Sequence, residues 1–330
     1  MTSAHDLPPR LTRAQFLRLA AGTLASLTLP PAHAAQPQAS PRPAAPARPE
    51  TGDRPDKLLT RPIPATGEAL PVIGCGTYIG FDAAPDSDEY QRLPGVLQTL
   101  FDAGGSVLDS SPMYGRAEAT TGELLAAAGS RKRAFIATKV WIRGRSNGIR
   151  QMEESLRLLQ TPQLDLMQIH NLVDWRAHLA TLRQWKEAQR VRYLGVTHYT
   201  AAAYRELEAV MRNERFDFVQ INYSLDAREA EQRILPLAAE RGMAVLINRP
   251  FGGGGLLRKL RDRPLPPWAA DIGASSWAQL LLKFVLGHPA VTCAIPGTGR
   301  PEHMEDNVAA GMGTIPGPEF WHQHADLIEL

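Results

Sequence analysis

Eight short apolar runs recur along this chain, each followed by a helix-like stretch, and this alternation limits the fold more than any other feature. The runs are Val72-Ile73, Ser106-Val107-Leu108, Phe135 to Thr138, Leu164 to Ile169, Tyr193 to Val196, Phe218 to Ile221, Val245 to Ile247 and Val291 to Ile295. They are rich in β-branched residues, mostly apolar and close to turn signals, which is the pattern of strands buried on both faces. Helical spacing fills the intervals. Ile149, Met152, Leu156 and Leu159 repeat at three and four, after a cap expected at Ser146. Trp277, Leu280, Leu281, Phe284 and Val285 repeat likewise, and Leu207, Val210 and Met211 fit a third helix. Units of about thirty residues are βα units. Eight of them in about 250 residues predict an α/β chain folded as a (β/α)8 TIM barrel over residues 58–330. The rival is an open doubly wound sheet, which carries G-x-G-x-x-G after its first strand. Here Gly74-Cys75-Gly76-Thr77 lacks the third glycine at that spacing. The stretch Leu59 to Leu70, with a Thr66-Gly67 turn, reads as a hairpin closing the barrel bottom.

The first 57 residues read differently. Thr12-Arg13-Ala14-Gln15-Phe16-Leu17-Arg18 precedes an apolar run from Leu19 to Leu29, and Ala32-His33-Ala34 then supplies an A-x-A cleavage site. Residues 1–34 are therefore expected to be a cleaved export signal, whose apolar run of about eleven residues is too short to span a bilayer. The pattern resembles a twin-arginine signal, S-R-R-x-F-L-K, with Ala14 in place of the second arginine. A general secretory signal and a misassigned start are the alternatives. Export implies a periplasmic protein and an encounter with export machinery; a signal left unused leaves the protein cytoplasmic. Residues 35–57 are rich in Pro and Ala and read as a disordered tether.

Composition removes some partners. Net charge is +2 and no Lys/Arg stripe is present, so nucleic acid is not an expected partner. The two cysteines, Cys75 and Cys293, have no metal ligands at zinc spacing, and no metal is expected. They fall on the first and last strands, which are neighbours in a closed barrel. They are either paired in an oxidising compartment or, as is commoner for cysteine, buried and free.

Barrel chemistry sits where strands run into their C-terminal loops. Strand two ends in Asp109-Ser110-Ser111-Pro112-Met113-Tyr114-Gly115, strand three in Thr138-Lys139-Val140-Trp141, and strand four in Gln168-Ile169-His170-Asn171. Asp109, Tyr114, Lys139 and His170 thus come from three neighbouring strands. Together they suit proton donation to a carbonyl. A tyrosine holds its proton at neutral pH. A lysine ammonium stabilises the phenolate left behind, and an aspartate holds the lysine. A histidine orients the oxygen on which charge develops. Singly, each has a plain reading as a turn, rim or solvated residue; the combination at successive strand ends is what points to catalysis.

The run from Val107 to Glu118, VLDSSPMYGRAE, resembles the aldo-keto reductase signature D-T-[AS]-x-x-Y-G-x-x-E. Ala137-Thr138-Lys139 is similar to that family's lysine strand, Leu164 to His170 to its D-L-x-x-x-H strand, and Gly74-Cys75-Gly76-Thr77-Tyr78 to its first strand. The resemblance covers Leu58 to Thr314. It implies the (β/α)8 fold, the tetrad Asp109, Tyr114, Lys139 and His170, and a nicotinamide cofactor extended across the mouth. Gly76, Thr77 and Tyr78 would border that cofactor. Gly195-Val196-Thr197-His198-Tyr199 stands where the family has G-V-S-N-F, so Thr197 and His198 replace the residues that hold the carboxamide, and Gln220 matches its third contact. Ile247-Asn248-Arg249-Pro250-Phe251-Gly252 aligns with A-Y-S-P-L-G, which puts Asn248 where many members stack a tyrosine on nicotinamide. Arg249, Pro250 and Phe251 follow it along the cofactor. Pro296, Thr298, Arg300, His303 and Asn307 occupy the region that holds the adenosine 2′-phosphate. The usual lysine and arginine are Gly297 and His303 here, so Arg300 would supply the charge. NADPH is preferred to NADH on that basis. Tyr78, Trp141 and Asn171 would line the substrate pocket. The implied activity is carbonyl reduction; the alternative is a nicotinamide-nucleotide sensor or regulatory subunit of a membrane complex on the same fold.

Overall fold

The computed structural model describes residues 57–328 and 330. The expected export signal and nearly all of the tether lie outside the described residues. Lys57, expected in the tether, is tied to the barrel: its ammonium donates to the Asp102 carbonyl at 2.7 Å.

The strands are β1 (Thr60–Pro62), β2 (Ala69–Pro71), β3 (Cys75–Gly76), β4 (Val107–Asp109), β5 (Phe135–Val140), β6 (Leu164–His170), β7 (Val191–Thr197), β8 (Phe218–Asn222), β9 (Ala244–Asn248) and β10 (Cys293–Ala294). The helices are α1 (Asp88–Asp102), α2 (Ala117–Ala127), α3 (Arg145–Leu158), α4 (Trp175–Glu187), α5 (Tyr204–Asn213), α6 (Ile234–Glu240), α7 (Gly255–Leu260), α8 (Trp277–Gly287), α9 (Pro301–Ala310) and α10 (Pro318–His324).

Strands β3 to β10 pair in chain order, every pair parallel. The ends of this sheet meet through the bridges Ile73↔Ala294 and Gly76↔Gly297, so the sheet closes on itself. A helix follows each strand, and α7 is an extra turn inserted between β9 and α8. This is the (β/α)8 barrel. The first strand lies three residues later than its apolar run, because Val72 and Ile73 join the sheet only at the seam, where the Val72 carbonyl accepts from Ala294 at 2.9 Å.

Helix starts follow side-chain chemistry at two places. Ser87 and Ser276 accept from Tyr90 and Gln279 backbone N–H groups and cap α1 and α8. At α3 the cap expected at Ser146 is not found. The helix begins one residue earlier, and Gly144 stands at its cap with φ 86 and no side-chain bond.

The hairpin of β1 and β2 forms as expected, with Thr60 opposite Pro71. Its Ile63 and Leu70 pack with Val107, Phe135, Tyr193, Phe218, Ala244 and Cys293 inside the barrel. A separate, larger apolar layer lies between the strands and the helices. Cys75 belongs to that outer layer and Cys293 to the inner one, so the two thiols face opposite sides of the wall and stay free and buried.

Candidate active site

Every second residue of a strand faces the barrel axis. The lower inward positions are apolar: Val107, Phe135, Ala137, Leu166, Phe218 and Leu246. Two residues further along the same faces, the side chains become polar: Asp109, Lys139, Gln168, Gln220 and Asn248. The site is therefore the last inward layer of the barrel, laid on an apolar plug.

Lys139 and Asp109 are both buried, and the ammonium lies 2.5 Å from the Asp109 Oδ2. Lys139 also donates to the Ser110 carbonyl at 2.7 Å. The other carboxylate oxygen, Oδ1, accepts from Gln168 at 2.9 Å and from Gln220 at 2.7 Å. A carboxylate only accepts, so it turns both amide NH2 groups inward. Gln220 Nε2 also reaches Gln168 Oε1 at 3.2 Å, and Gln220 Oε1 faces Asn248 Nδ2 at 3.4 Å. Gln168 was not singled out by the sequence reading. Its signal is a polar residue on the inward face of an apolar strand, two positions before His170. Gly195, paired with Gln168 in the β6–β7 register, makes room for it: a Cβ there would sit 2.8 Å from Gln168 Cγ.

Tyr114 lies in the loop after β4, half-buried, with the Lys139 ammonium 5.0 Å from its ring centre. Burial pushes the Tyr114 phenol above its ordinary value, with the Lys139 charge pulling back. Burial works against the Lys139 ammonium too, but Asp109 and Tyr114 outweigh it and leave lysine above its usual value. His170 is held well below the ordinary imidazole value by burial, then by the charges of Lys139 and His198. The ring is neutral at physiological pH. Its Nδ1 lies 3.2 Å from Ser111 Oγ; when that hydroxyl donates, the ring proton sits on Nε2. Nothing in the sequence marks Ser111 for this role beyond its place in the loop after β4. The Tyr114 and His170 rings are 6.2 Å apart and edge-on.

The expected substrate residues border this array. The Tyr78 ring packs on Tyr114 at 5.0 Å, and Trp141 lies 6.3 Å from His170. Asn171 follows His170 with φ 54, and its Oδ1 is buried without a partner.

The expected cofactor residues are spread around the mouth. Thr197 is buried beside Gln220, and Thr77 donates to Ser110 Oγ at 3.0 Å. Gly76 donates to the Pro296 carbonyl at 3.2 Å. His198 Nδ1 accepts from Tyr199 and Thr200, leaving Nε2 as the free ring nitrogen. Asn248 Oδ1 is a second buried acceptor without a partner. A cleft of about 290 Å³ runs beside it, lined in part by Tyr199, Thr200, Asn222, Ser224, Asp226 and Arg249. Pro250 is buried and Phe251 half-buried behind it. Arg249 is exposed with φ 50, its guanidinium 5.8 Å from the Tyr199 ring. On the far side, Thr298 Oγ1 accepts from the Arg300 N–H at 3.1 Å. Arg300 and His303 are exposed and Asn307 is buried. The Arg300 guanidinium lies 3.6 Å from Glu302, a surface pair that an incoming phosphate can outcompete.

A second buried acid lies behind the tetrad. Glu118 accepts from Thr138 at 2.6 Å, and burial pushes its carboxyl up to about 6. Among the described residues no group of three or more His, Cys, Asp or Glu could hold a metal ion.

A parallel barrel with a buried Asp–Lys pair, a tyrosine and a neutral histidine at its C-terminal mouth defines a class of barrel that can give a proton to a carbonyl oxygen. The family model described as "Aldo/keto reductase family" matches residues 72–317, and the chain belongs to that family. It is 30% identical over 249 residues to the methylglyoxal reductase YeaE of Escherichia coli, covering 73% of this chain and 85% of that one. An aldo/keto reductase from Klebsiella pneumoniae, solved with NADP and acetate, superposes with a TM-score of 0.68 at 27% identity, over 79% of this chain and 92% of that one. Another Klebsiella pneumoniae aldo-keto reductase, solved with NADPH, gives 0.66 at 26% identity, over 82% and 94%.

Proposed function

We propose that this protein reduces an aldehyde or ketone to an alcohol, with NADPH as reductant and Tyr114 as proton donor. It is an oxidoreductase of the aldo/keto reductase family. The observation that carries the residue assignment is the buried Asp109–Lys139 pair set behind Tyr114, at 2.5 Å.

Bound NADPH supplies the hydride. Tyr114 keeps its proton at neutral pH and gives it to the carbonyl oxygen, whose π electrons form the new O–H bond. Lys139, held charged by Asp109, stabilises the phenolate that remains. Neutral His170 donates a hydrogen bond to the same oxygen, which fixes the carbonyl and favours the charge developing there.

The residues present fit the cofactor. Asn248 Oδ1 and Asn171 Oδ1 are buried acceptors in want of a donor, and a carboxamide NH2 is one. Asn248, Gln220, Thr197 and His198 would hold the nicotinamide end. Arg249 would meet the diphosphate, and Thr298, Arg300 and Asn307 the 2′-phosphate. Gln220 would meet the carboxamide NH2 through its carbonyl oxygen, since its own NH2 serves Asp109. The export signal at 1–34 would carry the folded barrel, with cofactor already bound, to the periplasm.

The test is loss of NADPH absorbance with a panel of aldehydes and ketones, beginning with methylglyoxal, the substrate in the name of the Escherichia coli relative. Multiple turnovers with at least one carbonyl are expected. Binding of NADPH followed by one slow turnover at most would instead mark a nucleotide sensor.

A further inference from the structure

Ile79 has a conformation and an exposure that the fold itself does not need. Its φ is 65, in the left-handed region, where β-branched residues are genuine outliers. The Gly80 N–H donates to the Tyr78 carbonyl at 2.8 Å, so Ile79 is the centre of the strained, positive-φ form of γ-turn. The turn is locked from outside. Phe81 is wholly buried and its N–H donates to the Thr77 carbonyl at 3.1 Å. Gly80 lies so close to the loop after β10 that a Cβ there would meet the Thr298 backbone at 2.8 Å.

Such a position is normally filled by glycine or asparagine. Here it holds an isoleucine that is 71% exposed, the most exposed large hydrophobic residue among those described. Its surroundings give it a use. Tyr78, Trp141, Ile142 and Tyr199 are also exposed, and all five lie on loops at the C-terminal mouth. The neighbouring Tyr78 ring packs directly on Tyr114. A carbonyl placed at the Tyr114 hydroxyl has the Tyr78 ring beside it, and Ile79 is the next residue of the same turn. Strain and exposed apolar surface held together at a mouth are features of a site that waits for a ligand.

We infer that Ile79 is a specificity-determining residue that covers the apolar body of the substrate, and that the preferred substrates are bulky aromatic or aliphatic carbonyls rather than small polar ones. The inference rests on the carbonyl-reductase reading. Methylglyoxal has only a methyl group to bury and gains little from the apolar rim. A naphthaldehyde extends past Tyr78 and buries both its own surface and that of Ile79.

The experiment compares kcat/KM for naphthaldehyde and methylglyoxal in wild type, Ile79→Gly, Ile79→Asn and Ile79→Leu, alongside NADPH titration and thermal melting. Wild type is expected to favour naphthaldehyde. In the Gly and Asn variants the preference falls about tenfold, mainly through KM for naphthaldehyde. NADPH affinity stays within about twofold of wild type, and melting is no lower, because both residues suit positive φ. The Leu variant keeps the preference. An unchanged ratio in the Gly and Asn variants overturns the inference, as does equal loss for both aldehydes. A loss that follows NADPH affinity would place Ile79 over the cofactor instead. Failure of wild type to turn over any carbonyl removes the carbonyl-reductase reading itself, and the inference with it.

Discussion

The two ends of the barrel solve opposite problems with the same strands. At the bottom, Ile63 and Leu70 of the hairpin are buried in a layer of Val107, Phe135, Tyr193 and Phe218. Nearby, the Arg61 guanidinium donates to the carbonyls of Leu286 at 2.6 Å and His288 at 3.2 Å. At the mouth, the same inward faces carry Asp109, Lys139, Gln168 and Gln220. There Asn171 and Asn248 leave buried oxygens unpaired, and Ile79, Asn171 and Arg249 have positive φ. The bottom end has strain and an unmet group only in its outer loops, Gln160 and Gln189 with positive φ and Ser130 Oγ without a partner, while the layer around the hairpin is apolar. The other retains strain and unmet hydrogen bonds, which a ligand can relieve. Stability and chemistry are thus separated along the barrel axis.

That separation can be broken most severely at Lys139. Lys139→Met leaves Asp109 charged and buried without its cation, which costs about 3–5 kcal/mol. Both denaturant midpoint and turnover should fall; a variant as stable as wild type would mean that Asp109 finds another partner. Leu70→Ala, at the other end, should cost about 3 kcal/mol by leaving a cavity. Its kcat on any carbonyl should stay within twofold at a temperature where it is folded. A large kcat defect would show that the two ends are coupled.

Glu118 sharpens the contrast through pH. Its folded value, about 6, is above the ordinary 4.5. A raised carboxyl favours the fold below its unfolded value, and that contribution is lost as pH rises through about 6. Glu118→Gln should therefore gain about 2 kcal/mol relative to wild type between pH 4 and pH 8, from the size of that shift. Melting curves at the two pH values measure it, and a pH-independent difference would contradict it. The smallest effect is expected at Gln168. Gln168→Leu removes one of two amide donors on Asp109 Oδ1 and should cost about 1–2 kcal/mol. The carboxylate then acts on Tyr114 with less of its charge offset, so the basic limb of kcat moves to higher pH. An unmoved limb would reduce Gln168 to a packing residue.

The barrel was legible because its strands are buried on both faces and read as apolar runs from Phe135 to Val291. Strand edges were less so. The first strand has its apolar pair, Val72-Ile73, at the seam rather than in the regular ladder. At α3, Ser146 has the chemistry of a cap, but the helix starts from Gly144 at positive φ, which a spacing argument does not see. Asp109, Tyr114, Lys139 and His170 stood out as polar residues at strand ends, and the fold brings them to one mouth. Gln168 was hidden because it lies inside a strand; only its inward register, two residues from His170, marks it. The strain at Ile79 was invisible for a different reason. It is imposed by Phe81 and by the close approach of Gly80 to Thr298, residues far apart in the chain.

The central claim is that Tyr114 donates the proton while the cofactor is held by other residues. Tyr114→Phe keeps the ring that packs on Tyr78 and deletes only the hydroxyl. The most direct measurement is paired: fluorescence titration with NADPH, and turnover of the best carbonyl substrate. NADPH affinity should stay within about twofold and kcat should fall by about 10²–10⁴. Wild-type turnover in Tyr114→Phe would contradict the account.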